Sequence, residues 1–189
     1  MGFTVRLAEN ADLAEVGRIT VEAYRDDGFL DADADYIGEL ADAAARGRAA
    51  EVWVAAEGDE VLGSVTFCAP GTPFAELARD DEGEFRMLSV SSSARRRGVA
   101  EALVVRCIER SRELGYDALV LCSMREMNTA HRLYLRLGFR PPPGTGLVPG
   151  RGHRAARVHP AAGPTRVRHG RRHRHPRNLP IGRIQGHLR

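Results

Sequence analysis

The first third of the chain has an apolar pattern that predicts one strand followed by two amphipathic helices. Polar and apolar side chains alternate over residues 3–7, as in a half-buried strand. Asn10 or Asp12 can cap the first helix, and Asp33 can cap the second. Apolar positions at helical spacing are Leu13, Val16, Ile19 and Ala23 in the first helix, and Ile37, Leu40 and Ala44 in the second.

A hairpin and a separate strand are predicted next. The runs Val52–Val54 and Val61–Phe67 flank Gly58-Asp59, a dipeptide typical of a tight hairpin turn. After a loop, Phe85–Val90 has the composition of a further strand.

Helices and strands alternate after that strand. A helix is predicted from Gly98 to Leu114, where Gly115 ends it. Ala118–Cys122 is a continuous apolar run, as expected for a strand with both faces covered. A last helix is predicted from about Thr129 to Leu137. The order of elements therefore predicts an α+β fold built on a mixed sheet.

The segment Arg95–Ala100 lies between a predicted strand and a predicted helix. N–H groups in the first turn of a helix lack intrahelical partners, and the helix dipole adds partial positive charge there. The small residues Gly98 and Ala100 allow phosphate oxygens to approach the backbone, and arginines can add charge-assisted hydrogen bonds. These six residues alone fit a pyrophosphate site and a solvated basic run before an ordinary helix equally well.

Two longer motifs resemble the GNAT family of N-acetyltransferases. Glu84–Val90 followed by Arg95-x-x-Gly98-x-Ala100 is similar to that family's acetyl-CoA signature, and Ala130–Phe139 is similar to its second motif. The resemblance covers roughly residues 3–140. It implies a mostly antiparallel sheet that splays in the middle after Val90, with helices on both faces.

The same resemblance implies where acetyl-CoA, the co-substrate, would bind. The pantetheine arm would lie in the gap of the sheet and pair with main-chain groups of Leu88–Val90. Backbone N–H groups of residues 97–100 would hold the pyrophosphate. The cofactor-binding residues implied are Leu88, Ser89, Val90, Arg95, Arg96, Arg97, Gly98, Val99 and Ala100.

One position departs from the family pattern. Many relatives have an asparagine seven residues before the helix tyrosine, where this chain has Met127. Asn128 follows one residue late, and we expect it to cap the helix rather than to contact the cofactor.

Amide formation requires a proton acceptor for the amine, a donor to the oxyanion and a proton for the leaving thiolate. The resemblance implies Tyr134 as the group that protonates the thiolate, although its residue type and position also fit a core tyrosine. A backbone N–H at the end of Phe85–Val90 is the candidate oxyanion donor. Glu84 is the candidate base, directly or through water, and a strand-end carboxylate paired with Arg86 or solvent is the alternative.

The cysteines and the N-terminus predict a compartment. Cys68, Cys107 and Cys122 are odd in number and lie in apolar runs, which favours buried reduced thiols over disulfides, a zinc site or nucleophiles. The N-terminal residues lack a signal-peptide pattern, and no apolar run is long enough to span a bilayer. We therefore expect a cytoplasmic protein with no metal site and no membrane partner.

Charge divides the chain into a body, residues 1–140, and a tail, residues 141–189. The body has 17 arginines and all 25 acidic residues, a formal charge of −8, whereas the tail has 11 arginines and no acid. Eight of the ten prolines and six of the seven histidines lie in the tail, which has no aromatic residue. This composition predicts disorder, and the family's last strands, which normally follow the second motif, are expected to be missing.

Two explanations of the tail stay open. It could bind nucleic acid or other polyanions non-specifically through its charge, since it has no aromatic residues for base stacking. Alternatively, the reading frame slips near Phe139, because G+C-rich DNA read out of frame yields these residue types in excess.

The genetic code supports a frameshift in part, and we favour it. With one nucleotide dropped, the codons of His153-Arg154 and of His159-Pro160 must give Ile or Thr, and those of Val158-His159 must give Phe, Tyr, Ser or Cys. Gly146–Pro149 then allows Asp-Trp-Ser-Pro. Chosen codons extend this reading into a family-like final strand.

The sequence therefore predicts an N-acyltransferase that moves an acetyl group from acetyl-CoA to a small-molecule or peptide amine, impaired in this chain by its C-terminus. The alternative is a protein that binds acyl-CoA without turnover, or polyanions through its tail. A second copy of the chain is a further candidate partner. The acidic body favours a cationic acceptor.

Overall fold

The structure is a computed structural model that describes residues 2–26, 28, 34–124, 127–140 and 153–158. Its strands are β1 (Thr4–Leu7), β2 (Glu51–Glu57), β3 (Glu60–Cys68), β4 (Glu82–Val90), β5 (Ala118–Met124) and β6 (His153–Val158). Its α-helices are α1 (Leu13–Asp26), α2 (Ala34–Ala41), α3 (Ala43–Ala49), α4 (Val99–Glu113) and α5 (Asn128–Arg136).

The six strands form one sheet in chain order, from β1 at one edge to β6 at the other. All neighbours pair antiparallel except β4 and β5, which pair in parallel through the crossover helix α4. The predicted hairpin is confirmed as β2 and β3, and its turn uses Gly58 at a φ of +62°. The mixed, mostly antiparallel sheet predicted from the sequence is thus confirmed.

Helices cover both faces of this sheet, and each face has its own apolar core. The larger core packs Leu103, Cys107 and other residues of α4, with Leu133 of α5, against the central strands. The smaller core packs Val16 and Ile19 of α1 and Ala43 of α3 against β2 and β3.

The helical segment after α1 differs from the prediction in one respect. It is two short helices, α2 and α3, rather than one. Asp42 ends the first and caps the second, because its carboxylate accepts a hydrogen bond from the backbone N–H of Ala45 at 2.7 Å. Side-chain capping of this kind competes with continuation of the helix.

β4 and β5 separate halfway along their length. Their pairing begins at Glu82 and Ala118 and ends at Phe85 and Leu121. The predicted splay of the sheet is confirmed, but it begins directly after Phe85 and not after Val90.

A bulge in β4 accompanies the separation. Against β3, Arg86 pairs with Thr66 and Ser89 pairs with Ser64, so β4 has one extra residue. Met87 in this bulge has a φ of +53°, a strained conformation for a residue with a Cβ. Bulges bend a strand locally and re-aim the side chains that follow, and this one lies where β4 and β5 separate.

The expectation that residues 141–189 supply no strand, and leave the β5 edge unpaired, is wrong for residues 153–158. β6 pairs antiparallel with β5 from Leu119↔Val158 to Met124↔His153. Val158 is buried in the larger core, and Arg157 forms an ion pair with buried Glu82. Backbone pairing does not depend on apolar side chains, so composition alone missed it. The rest of the predicted tail lies outside the described residues.

Candidate active site

A cavity of about 1840 Å³ lies where β4 and β5 diverge. Its walls come from β4 and β5, from the residues between β4 and α4, from Glu76, and from parts of α1, α2, α4 and α5. Of the cofactor-binding residues expected from the sequence, all but Arg97 line it. These are Leu88, Ser89, Val90, Arg95, Arg96, Gly98, Val99 and Ala100.

The turn before α4 has the geometry of an anion cradle. Gly98 has a φ of +84°, which favours glycine, and a Cβ built there would meet no atom within 4 Å. The first intrahelical hydrogen bond of α4 runs from the N–H of Ala102 to the carbonyl of Gly98. The N–H groups of residues 98–101 are therefore left without intrahelical partners.

Arginines line this end of the cavity on both walls. Arg95 and Arg96 come from the turn, and Arg132 and Arg136 come from α5. Arg136 also pairs with Glu101 of α4 at 2.5 Å, which connects the two walls. The electrostatic field and the helix N-terminus together suit a phosphorylated ligand.

Arg97 points elsewhere. Its guanidinium pairs with Glu57 at the end of β2, with Nη2 and Oε2 2.9 Å apart. Only the main chain of Arg97 is left for a role in phosphate binding.

Tyr134 lies between the core and the cavity. Its ring packs edge-on against Phe85 and Phe139, with centroids 5.8 Å away in both cases, while the residue lines the cavity wall. Burial raises the pKa of the phenol well above its usual range, so the hydroxyl keeps its proton at neutral pH. Both interpretations from the sequence, core tyrosine and proton donor, are compatible with this position.

Glu84 is buried and bound to the backbone rather than placed in the cavity. Its Oε2 accepts hydrogen bonds from the N–H groups of Glu76, Leu77 and Ala78 at 2.8, 2.8 and 3.1 Å. The residue is fully buried and is absent from the cavity lining. Neither Arg86 nor solvent is its partner, so the alternative interpretation of Glu84 differs from the structure, and its role as a base stays a prediction. These contacts fit a carboxylate that holds the 76–78 turn in place.

That turn positions a group that the sequence analysis missed. Glu76 pairs with Arg86 of β4 at 2.7 Å, and both residues line the cavity. Tyr24 of α1 and Tyr36 of α2 line it as well, with their rings edge-on at 6.3 Å. The arginine within the mostly apolar run Phe85–Val90 was the one available sequence signal.

The cysteines have the properties of unreactive thiols. All three are free; Cys68 and Cys107 are buried, and Cys122 lines the cavity. Burial raises the pKa of Cys68 to about 12 and also raises that of Cys122. Protonated thiols are poor nucleophiles, in agreement with the sequence interpretation.

The residues before α5 correct one prediction. Met127 occupies the N-cap position, and Asn128 is the first residue of the helix. The side chain of Met127 makes no capping hydrogen bond.

Comparison with known proteins identifies related sequences. The model of a family described as Acetyltransferase (GNAT) family matches residues 14–139. A Danio rerio protein named N-acetylaspartate synthetase is 38% identical over 90 residues, which are 47% of this chain and 29% of that protein. The chain spans 29–40% of the length of the curated relatives it matches.

Solved structures share the fold. A Corynebacterium glutamicum structure described as histone acetyltransferase HPA2 and related acetyltransferase is 25% identical, with a TM-score of 0.65 over 87% of this chain and all of that one. A Salmonella typhimurium acetyltransferase in complex with acetyl-CoA is 21% identical, with a TM-score of 0.62 over 88% of this chain and 99% of that one.

These matches agree with the family resemblance, the fold class and the acetyl-CoA co-substrate that the sequence predicts. The individual roles of the site residues stay predictions. Within the described ranges, no helix combines the length and the apolar character needed to cross a bilayer.

Proposed function

Since the chain belongs to the acetyltransferase (GNAT) family, we propose that it transfers the acetyl group of acetyl-CoA to a primary amine. The acceptor is a small molecule or a peptide, and the amine attacks the thioester directly. One observation carries the proposal: the cleft between β4 and β5 has an anion cradle at one end and the buried hydroxyl-bearing Tyr134 on its wall.

Acetyl-CoA would enter with its pyrophosphate on the N-terminus of α4. The N–H groups of residues 98–101 and the side chains of Arg95 and Arg96 would bind the phosphate oxygens. The pantetheine arm would lie along Leu88–Val90, where β4 has lost β5 as its partner. This arrangement brings the thioester close to the bulge at Met87.

The chemistry then needs a donor to the oxyanion, a proton donor to the leaving thiolate and a proton acceptor for the amine. The amine nitrogen bonds to the thioester carbon, and a backbone N–H near the β4 bulge donates to the oxyanion that forms. When the C–S bond breaks, the thiolate leaves with its electron pair and takes the proton of the Tyr134 hydroxyl. Burial keeps the phenol protonated, and the position of Tyr134 on the cavity wall supports this role.

The proton lost by the amine passes to water in the open cleft. The hydrogen bonds of Glu84 support a positioning role for that carboxylate, since it fixes the turn that carries Glu76. The name of the zebrafish relative, N-acetylaspartate synthetase, supports a small-molecule acceptor.

A panel of amines tests the proposal. We expect thiol release from acetyl-CoA that depends on the amine, alongside calorimetric binding of CoA with one site per chain. Binding of CoA without turnover on any amine would favour the alternative of a non-catalytic acyl-CoA-binding protein.

We also propose a cytoplasmic location, which the three free thiols support. Impairment of this form by its C-terminus stays part of the proposal, and polyanion binding by the basic residues after Phe139 is its alternative. Retention on heparin that is lost at moderate salt, with no acetyl transfer, would favour that alternative.

A further inference from the structure

The cavity has a second polar end that acetyl-CoA would not occupy. Arg86 lies four residues before Val90 on β4, and the Met87 bulge separates it from the phosphate-binding turn before α4. Arg86, Glu76, Tyr24 and Tyr36 all line the cavity at this end. The transfer chemistry assigns no role to these four side chains.

The guanidinium of Arg86 uses one part of its hydrogen-bonding edge and leaves the rest open. Its Nη1 contacts Oε1 of Glu76 at 2.7 Å and the carbonyl of Phe74 at 3.3 Å. Within the described part of the chain, Nε and Nη2 have no hydrogen-bond partner. The side chain is only 17% exposed, and what it exposes faces the cavity.

Nε and Nη2 together form the fork that binds a carboxylate through two parallel hydrogen bonds. A mostly buried guanidinium with this fork open has lost much of its hydration, and an anionic ligand would stabilise it. Burial raises the pKa of Tyr24 and Tyr36, and the positive charge of Arg86 partly opposes this rise. The cation therefore lies beside the wall that these two rings form.

Glu76 places an anion next to this cation. Glu84 holds the backbone of Glu76 through its N–H, and the Glu76 side chain is 58% exposed. An Arg–Glu pair at a cavity wall offers one partner to a carboxylate and one to an ammonium group. An amino acid carries both groups a few bonds apart.

We propose that the acceptor is an amine that also bears a carboxylate, as an α-amino acid does, and that Arg86 binds this carboxylate through Nε and Nη2. Glu76 then faces the amino group, and the Tyr24 and Tyr36 rings pack on the remainder of the molecule. This inference rests on the proposed acyl transfer and assigns its acceptor class. The negative charge of the body favours a cationic acceptor, but Arg86 and Glu76 place one positive and one negative group at the site. An acceptor that carries both charges fits this pair better.

The test compares each amino acid with its own amide, which has the same shape but no carboxylate charge. The probes are phenylalanine with phenylalaninamide and leucine with leucinamide, each titrated calorimetrically into the full chain saturated with CoA. We expect the acid to bind at least tenfold more tightly than the amide. Equal or tighter binding of the amides would overturn the proposal.

Variants assign the preference to Arg86. R86Q should reduce the acid-to-amide ratio to about one, and R86K should keep part of it, because lysine retains the charge but loses the fork. R18Q, which removes an exposed arginine on α1, should leave the ratio unchanged. A ratio unaffected in both Arg86 variants would sink the assignment, and the wild-type comparison stands even if R86Q fails to fold.

Binding and turnover separate this inference from the proposed function. Selective binding of the acids without thiol release would support the carboxylate site and contradict the acetyl transfer. Thiol release with phenethylamine but with neither amino acid would support the transfer and contradict the carboxylate site.

Discussion

At the scale of single residues, Tyr134 combines burial with access to the cavity. Its ring contacts Phe85 and Phe139, and desolvation raises the pKa of its hydroxyl. A phenol in this state stays protonated at neutral pH. The same burial makes the ring part of the core, so a test must remove the hydroxyl and keep the ring.

Tyr134→Phe makes that change. If the hydroxyl protonates the leaving thiolate, kcat should fall by about 100-fold while the Kd for CoA changes by less than about twofold. Steady-state thiol release and CoA calorimetry give the two numbers. Tyr116→Phe is the matched control, because Tyr116 packs on the larger core without lining the cavity. An unchanged kcat in Tyr134→Phe would leave Tyr134 as a core residue only.

Gly98 has two separate reasons to be glycine. Its φ of +84° disfavours any side chain, and the space next to its Cα is open toward the proposed pyrophosphate position. Gly115, after α4, has a similar φ of +75° and similarly open surroundings, but it lies away from the cavity. The two glycines therefore allow backbone strain and ligand crowding to be distinguished.

Gly98→Val should weaken CoA binding by at least tenfold, because the branched side chain occupies the phosphate approach. Both variants place a branched residue at a positive φ, so each should lower the free energy of unfolding by about 1–2 kcal/mol. Gly115→Val should keep its CoA affinity. Urea denaturation and CoA calorimetry on both variants measure these effects. Full CoA affinity in a folded Gly98→Val protein would contradict the anion cradle.

At the scale of elements, β6 is held to the sheet by more than backbone pairing. Its Arg157 forms an ion pair with Glu82, which is only 3% exposed and also accepts a hydrogen bond from the N–H of Arg79. A buried carboxylate that loses its cation is strongly destabilising. The docking of β6 thus supplies the cation that stabilises the buried Glu82 carboxylate, and this ion pair helps to hold β6 on the sheet.

Arg157→Gln should therefore lower the free energy of unfolding by about 1–3 kcal/mol. Arg18→Gln removes an arginine from an exposed pair on α1 and should cost less than about 1 kcal/mol. Chemical denaturation of both variants beside the wild type measures the difference. Equal, small effects would mean that β6 does not dock on β5 in solution.

At the scale of the whole molecule, β6 coincides in position with the strand that a shifted frame would encode. In the shifted frame, the codons of residues 153 and 154, where β6 begins, can only give Ile or Thr. The codons of residues 158 and 159, where it ends, can only give Phe, Tyr, Ser or Cys. Small Ala156 now packs beside the larger core at a position where the shifted reading allows a bulkier apolar residue. The spacing from Phe139 is thus compatible with a final strand in either reading frame.

A protein translated from the frame shifted by one nucleotide after Phe139 should therefore be more stable than this chain. Burying one or two additional large apolar side chains contributes about 2–4 kcal/mol, or a rise in Tm of roughly 5–10 °C for a chain of this size. Thermal unfolding, solubility and CoA affinity of the two forms make the comparison, with sequencing of the gene around the Phe139 codon. A confirmed original frame and no gain in Tm would contradict the frameshift.

The sequence by itself determined the order of most elements, which follows from local features such as apolar periodicity and turn glycines. The splay of the sheet and the proposed cofactor end of the cavity followed from the resemblance of two motifs to a known family. Only the tertiary structure decided the bulge at Met87, the bonding of Glu84 to the 76–78 turn, the Arg86–Glu76 pair beside Tyr24 and Tyr36, and the docking of β6. Each of these depends on contacts between segments that are separate in sequence, or on backbone pairing that side-chain composition does not encode.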